Sequence, residues 1–155
     1  KDPHLYIEPG RCIVGTAGVT VYTVGSSKQV PNGRKYVAVD GGMADNIRPA
    51  LYGADYTVET VADKKDEETE KITIAGKFCE SGDILATNVT LPKLYEGDLI
   101  CFYDTGAYCY SMSSNYNRVL KPAAVIVKDG MSDLIVKRQT LEQLVQNDCI
   151  PEIIE

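Results

Sequence analysis

Cys79 and Glu80 place a thiol beside a carboxylate in the stretch Lys77-Phe78-Cys79-Glu80-Ser81-Gly82-Asp83, entered through Gly76 and left through Ile84-Leu85. Adjacent reactive side chains in a Gly-punctuated bend between strands have the look of a site held by a rigid scaffold. The plain alternative is a buried Cys next to a surface Glu, since free Cys is among the most buried residue types. Elsewhere, Arg48 and Tyr52 stand four residues apart in a largely apolar setting. A planar guanidinium fork with a phenol suits a carboxylate, or the pair is a structural Arg stacked on a Tyr. Glu8-Pro9-Gly10-Arg11 offers a Gly that lets the backbone approach a ligand. Free N–H groups and an Arg at such a turn can hold a phosphate, or the segment is an ordinary strand-to-loop turn. Tyr108 follows Gly106 at a strand end, where it either reaches a ligand or simply packs, as most of the ten tyrosines must.

Composition narrows the classes of function. A chain of 155 residues makes about one domain, and 44% hydrophobic content can supply its core. A net charge of -6 argues against a nucleic-acid surface. No apolar run approaches the ~20 residues of a membrane helix, and no signal peptide follows Lys1-Asp2-Pro3-His4. Five widely spaced cysteines (Cys12, Cys79, Cys101, Cys109, Cys149) are a poor disulfide framework and fit a reducing compartment such as the cytoplasm. With one histidine and no Cys-x-x-Cys, neither a zinc site nor a Ser-His-Asp triad has support.

The elements that must position these residues read as short strands. Leu5-Tyr6-Ile7 suggests a buried strand stopped by Pro9 and Gly10, and Cys12–Thr16 a short helical segment weakened by Gly15. Strands are expected over Val19–Val24, Tyr36–Asp40, Asp55–Val61, Lys71–Ala75, Ile84–Ala86, Leu99–Tyr103, Ala123–Val127 and Leu134–Lys137. Asn32-Gly33 and Asp129-Gly130 are hairpin turn signals. Leu99–Tyr103 is too apolar for an exposed face and is expected to be central. The charged run Asp63–Glu70 reads as a solvated hairpin loop. Thr140 with Gln143 forms an N-terminal capping signature, and Pro151 leads an acidic tail over residues 152–155. Turn signals every ten or so residues indicate an antiparallel sandwich or barrel, mainly β with short helices. The one suspected boundary lies near residues 18–30.

Taken in order, Glu8-Pro9-Gly10-Arg11, Asp40-Gly41-Gly42-Met43 with Arg48-Pro49-Ala50-Leu51-Tyr52, Cys79-Glu80-Ser81-Gly82-Asp83, and Gly106-Ala107-Tyr108 with Ser111-Met112 form a pattern. It resembles the C-terminal half of the diaminopimelate decarboxylase family, fold-type III pyridoxal-phosphate enzymes of the alanine racemase and ornithine decarboxylase class. The resemblance runs from about Leu5 to about Asp148. It implies a Greek-key β-barrel or sandwich over residues 21–155. Residues 1–20 would be a remnant of the last strand and loop of an N-terminal (β/α)8 barrel. The Schiff-base lysine of such enzymes lies on that barrel, and no lysine here stands in a matching motif. The chain is therefore expected to be inactive alone.

The same resemblance implies roles. Glu8 faces the pyridine nitrogen, where an anion stabilises the protonated ring. Gly10, Arg11 and Tyr108 lie nearest the cofactor, with Arg11 and Tyr108 also reaching the substrate. Arg48 and Tyr52 grip the substrate's distal carboxylate, and Glu80 pairs with its distal ammonium. Cys79 is the proton donor, because an ordinary thiol is mostly protonated at neutral pH. Its loop enters the partner subunit's active site, so a homodimer is implied. The implied substrate is a small amino acid with acid groups at both ends, since an Arg facing lysine or ornithine would be left unpaired. Other readings are a decarboxylase of another carboxylated amine, a non-catalytic regulatory or dimerisation homologue, and an unrelated β-barrel binding protein. The Cys79-Glu80 pair argues against a pure interaction module, which has no need of it.

Overall fold

Alternation of buried and exposed side chains builds the main sheet in this computed structural model, which describes residues 2–154. Strand β1 (Thr20–Gln29) buries Tyr22 and Val24, and β2 (Lys35–Val39) buries Val37 and Val39. The five-residue connection between them, residues 30–34, places Asn32 at φ 54°, a state that Asn tolerates, while Gly33 is not at positive φ as a two-residue Asn-Gly turn would need. A short helix α1 (Arg11–Val14) and a 3-10 turn (Gly15–Ala17) precede β1. After β2 come helix α2 (Arg48–Tyr52), β3 (Val58–Thr60), β4 (Thr69–Ala75), β5 (Ile84–Pro92) and β6 (Leu99–Phe102). Ile72, Ile74, Leu85, Ile100 and Phe102 join them in the buried core, with Tyr22 meeting Phe102 edge to face at 5.4 Å.

The strand order is β3-β6-β1-β2-β4-β5, which makes β6 internal as its apolar run requires. The edge strands β3 and β5 approach one another, so the sheet curls into a nearly closed barrel. The expectation of a wholly antiparallel sheet needs correction: β2 and β4 run parallel, with Tyr36 opposite Thr73 and Val37 opposite Ile74. Parallel neighbours need a long crossover. Residues 40–68 supply it, carrying the chain through α2 and β3 to the far edge and back. The same path corrects the reading of Asp63–Glu70 as a hairpin loop. It joins strands that are not neighbours, and Lys64 pins it to Asp98 at 2.8 Å.

Leu5-Tyr6-Ile7 is also not the buried strand its composition suggests. These residues are 78–92% exposed, and no strand among the described residues pairs with them. An apolar tripeptide without a neighbour has nothing to bury against. Lys1 and Glu155, the ends of the expected remnant and tail, lie outside the described residues.

The chain divides into two units after Ser113. The second unit holds the hairpin β7 (Ala124–Lys128) and β8 (Met131–Val136) and helix α3 (Leu141–Val145). Asp129 and Gly130, both at positive φ, form the two-residue turn. Thr140 and Gln143 cap α3 reciprocally: Thr140 Oγ1 accepts the Gln143 N–H, and Gln143 Oε1 accepts the Thr140 N–H.

Candidate active site

Helix α2 is short because its sequence starts and stops it. Pro49 occupies its first turn, and Gly53 at φ 61° closes it by donating its N–H to Pro49 O. Positions four apart share a helix face, so Arg48 and Tyr52 meet. The Arg48 guanidinium lies 5.1 Å from the Tyr52 ring centroid and 5.3 Å from that of Tyr108. Two aromatic faces therefore hold one cation. The Arg48 Nε is buried with no hydrogen-bond partner.

Tyr108 arrives from the loop after β6. It holds φ 67°, an uncommon backbone state for a non-glycine residue, and its carbonyl accepts the Met112 N–H and the Ser111 hydroxyl. A Cβ on Gly10 would stand 2.5 Å from the Tyr108 hydroxyl, so glycine here lets that hydroxyl rest against the backbone. The segment carrying Gly10 and Arg11 is docked by backbone contacts. Gly106 N–H donates to Gly15 O at 2.9 Å and Thr105 N–H to Gly18 O at 3.0 Å, and Gly18 and Gly106 approach so closely that a Cβ on either would collide. This docking sets the Arg11 guanidinium 5.5 Å from the Tyr56 ring centroid, and Arg11 Nε is likewise buried without a partner.

Tyr56 is a member that motif reading missed. It is buried, with its hydroxyl 3.7 Å from Cys109 Sγ. Burial raises its phenol pKa and the Cys109 contact adds to this, while Arg48 works against it. The available signal was period-two alternation, which puts Tyr56 on the inward face with Val58.

The β4–β5 loop carries Cys79 and Glu80, both exposed. Glu80 Oε1 accepts from the Ser81 hydroxyl and the Gly82 N–H. Asp83, 2% exposed, organises this loop: its carboxylate accepts the N–H of Phe78 at 2.8 Å and of Met43 at 2.6 Å. Lys77 N–H adds a bond to Gly41 O at 2.9 Å. The Asp40–Asn46 loop that leads into α2 and the loop that presents Cys79 are thus joined. Burial raises the Asp83 pKa, and the two N–H groups partly oppose that. A Cβ on Gly42 or Gly76 would run into the same carboxylate.

The structure therefore brings Arg11 against Tyr56, Arg48 against Tyr52 and Tyr108, and Gly10 against Tyr108. Glu8 lies on the exposed extended segment before α1, and Cys79 and Glu80 stand on their own loop. A cleft of about 620 Å³ lies elsewhere, against β3 and β5; Glu59, Lys64 and Tyr103 line it, and no sequence-derived site residue does.

Residues 12–106 match the family model described as the pyridoxal-dependent decarboxylase C-terminal sheet domain. The chain belongs to that family. Among relatives of this sheet domain, diaminopimelate decarboxylase of Bacillus subtilis is 53% identical over 146 residues, covering 94% of the chain and 33% of the relative. The Synechocystis enzyme of the same name is 52% identical over 149 residues, covering 96% and 32%. The chain thus spans about a third of the length of the curated relatives it matches. A crystal structure of diaminopimelate decarboxylase from M. jannaschii superposes with a TM-score of 0.89 at 36% identity, over 96% of this chain and 33% of that one. The lysine/ornithine decarboxylase of Vibrio vulnificus superposes less well, with a TM-score of 0.62 at 29% identity over 72% and 30%.

Proposed function

We propose that this chain is the C-terminal part of a pyridoxal-phosphate-dependent decarboxylase that converts meso-2,6-diaminopimelate to L-lysine and CO2, a step of lysine biosynthesis. The observation that carries this reading is the paired cations: Arg48 held between Tyr52 and Tyr108, and Arg11 over Tyr56, each with a buried Nε that lacks a partner. Orphaned buried donors favour an anionic ligand that satisfies them. Two of them suit a compound with more than one acid group. The residues present thus fit a phosphorylated cofactor and a diacid substrate.

In this reading residues 1–20 are the remnant of a barrel strand and loop, and residues 21–155 are the β domain. Pyridoxal phosphate, when bound, supplies the electron sink for the pair left by departing CO2. Glu8 would supply a negative charge that stabilises the protonated ring, and Gly10, Arg11 and Tyr108 would help hold the cofactor. Arg48 and Tyr52 orient the distal carboxylate of the substrate, Glu80 pairs with the distal ammonium, and Arg11 and Tyr108 also contact the substrate. Cys79 keeps a proton on Sγ and delivers it to carbon after CO2 leaves. Its exposure on a loop suits entry into the active site of a second subunit, so the working unit is a homodimer. Five free thiols suit a reducing cytoplasm.

The test is substrate preference in the complete protein encoded by the gene. Turnover of meso-diaminopimelate to lysine, with little turnover of lysine itself, is the expected result. A preference for lysine would show that Arg48 does not face a substrate carboxylate. The 155-residue chain alone, mixed with pyridoxal phosphate, is expected to give no lasting cofactor absorbance band and no turnover.

A further inference from the structure

Cys109 follows Tyr108 directly, yet its side chain turns inward and is 4% exposed. Its Sγ lies 3.5 Å from Asn46 Oδ1, to which it donates, and 3.7 Å from the Tyr56 hydroxyl. Asn46 Oδ1 also accepts the backbone N–H of Arg48 at 3.3 Å. The ring of Tyr56 is the platform for Arg11, and the ring of Tyr108 is one of the two platforms for Arg48. One buried sulfur therefore connects the aromatic supports of both guanidinium groups and, through Asn46, the start of the helix that carries Arg48.

We propose that Asn46, Cys109 and Tyr56 form a positioning unit that sets the spacing of Arg11 and Arg48 for a ligand with two carboxylates, an inference resting on the proposed role of those arginines. Two observations separate this from ordinary packing. Asn46 is 1% exposed and leaves its Nδ2 buried without a partner, an arrangement that an apolar residue would avoid at less cost. Tyr108 is held at φ 67°, and such backbone states persist where the surroundings over-determine them. The inward anchor on Cys109 is the adjacent restraint that does so. None of the three residues needs to touch the ligand.

The test uses pimelate, a seven-carbon diacid without amino groups, titrated calorimetrically into the complete protein. Cys109→Val keeps similar volume but removes both hydrogen bonds, and Tyr56→Phe keeps the ring beneath Arg11 but removes the hydroxyl. Tyr56→Phe is expected to weaken pimelate about tenfold, the effect of one lost buried hydrogen bond, and Cys109→Val, which loses two, by at least as much, while Cys109→Ser stays closer to wild type. Equal affinity across the folded variants, or no pimelate binding by the wild type, overturns the proposal. If Cys109→Val does not fold, Cys109→Ala takes its place in the comparison with Cys109→Ser. Turnover of meso-diaminopimelate is read separately: a wild type that shows this affinity pattern but does not decarboxylate the diamino diacid removes the proposed function and leaves the positioning unit standing.

Discussion

The carboxylate of Asp83 accepts the backbone N–H of Met43 at 2.6 Å across a sequence separation of 40 residues. Through this bond and its partner to Phe78, a buried acid ties the loop that leads into Arg48 to the loop that presents Cys79. The proton donor and the carboxylate-gripping arginine of the proposed reaction thus share one internal brace.

Removing that brace is expected to loosen both loops. Asp83→Ala leaves two buried N–H groups without an acceptor and should destabilise the fold by about 2–4 kcal/mol, measured by urea unfolding. The pH dependence has a definite sign. Burial raises the folded-state pKa of Asp83, so the folded state holds its proton more tightly than the unfolded chain. Its stabilising contribution is full below the ordinary carboxylate value of about 3.9 and is lost as pH rises through the raised folded value. The margin of wild type over Asp83→Asn should therefore shrink as pH is raised from 4 toward neutrality; a margin that widens would contradict the raised pKa.

Gly106→Ala tests the docking of the Arg11 segment. The new methyl would meet the Val14 carbonyl oxygen and the Gly18 backbone, neither of which can rotate away. A loss of about 1–3 kcal/mol is expected, the usual cost of overpacking. Because the displaced segment carries Arg11, ligand affinity should fall together with melting temperature. Gly82→Ala, where a Cβ meets nothing within 4 Å, is the control and should do neither.

Arg48→Lys keeps the charge and loses the plane. A lysine ammonium cannot stack as a flat fork between Tyr52 and Tyr108, and it offers no bidentate pairing to a carboxylate. In the complete protein KM for the diacid should rise about tenfold or more, with the melting temperature little changed. An unchanged KM would take Arg48 out of substrate binding.

Cys79→Ala addresses the proton step. The residue is exposed on its loop, so its truncation removes no core packing. Turnover by the complete protein should drop about 100-fold or more, the usual scale for a positioned acid, while cofactor absorbance is retained. If kcat stays at the wild-type level, the proton comes from elsewhere.

Local patterns account for much of what could be read before any coordinates. Tyr22 and Val24, or Val37 and Val39, alternate inward because neighbouring side chains on a strand point to opposite faces. Asn32 and Asp129-Gly130 turn the chain because they tolerate positive φ, and Thr140 with Gln143, three residues on, caps helix α3. Each of these is settled within a few residues of itself. The ordered motifs from Glu8 to Met112 likewise pointed to the decarboxylase family, because reactive residue types survive as short linear strings.

Other features depend on which distant segments meet, and no local pattern holds that information. Leu5-Tyr6-Ile7 is apolar enough for a core but stays exposed, since no described strand lies beside it. The parallel pairing of β2 with β4 follows from a long crossover, not from either strand's composition. In the sequence Tyr56 is one residue of an expected strand, Cys109 is one of five widely spaced cysteines, and no chemistry singles out Asn46. They join only because the fold brings residues 46, 56 and 109 within hydrogen-bonding reach beneath two arginines. Residue chemistry was written along the chain; its convergence came from packing, which alone decides which distant side chains lose water together and so must satisfy one another.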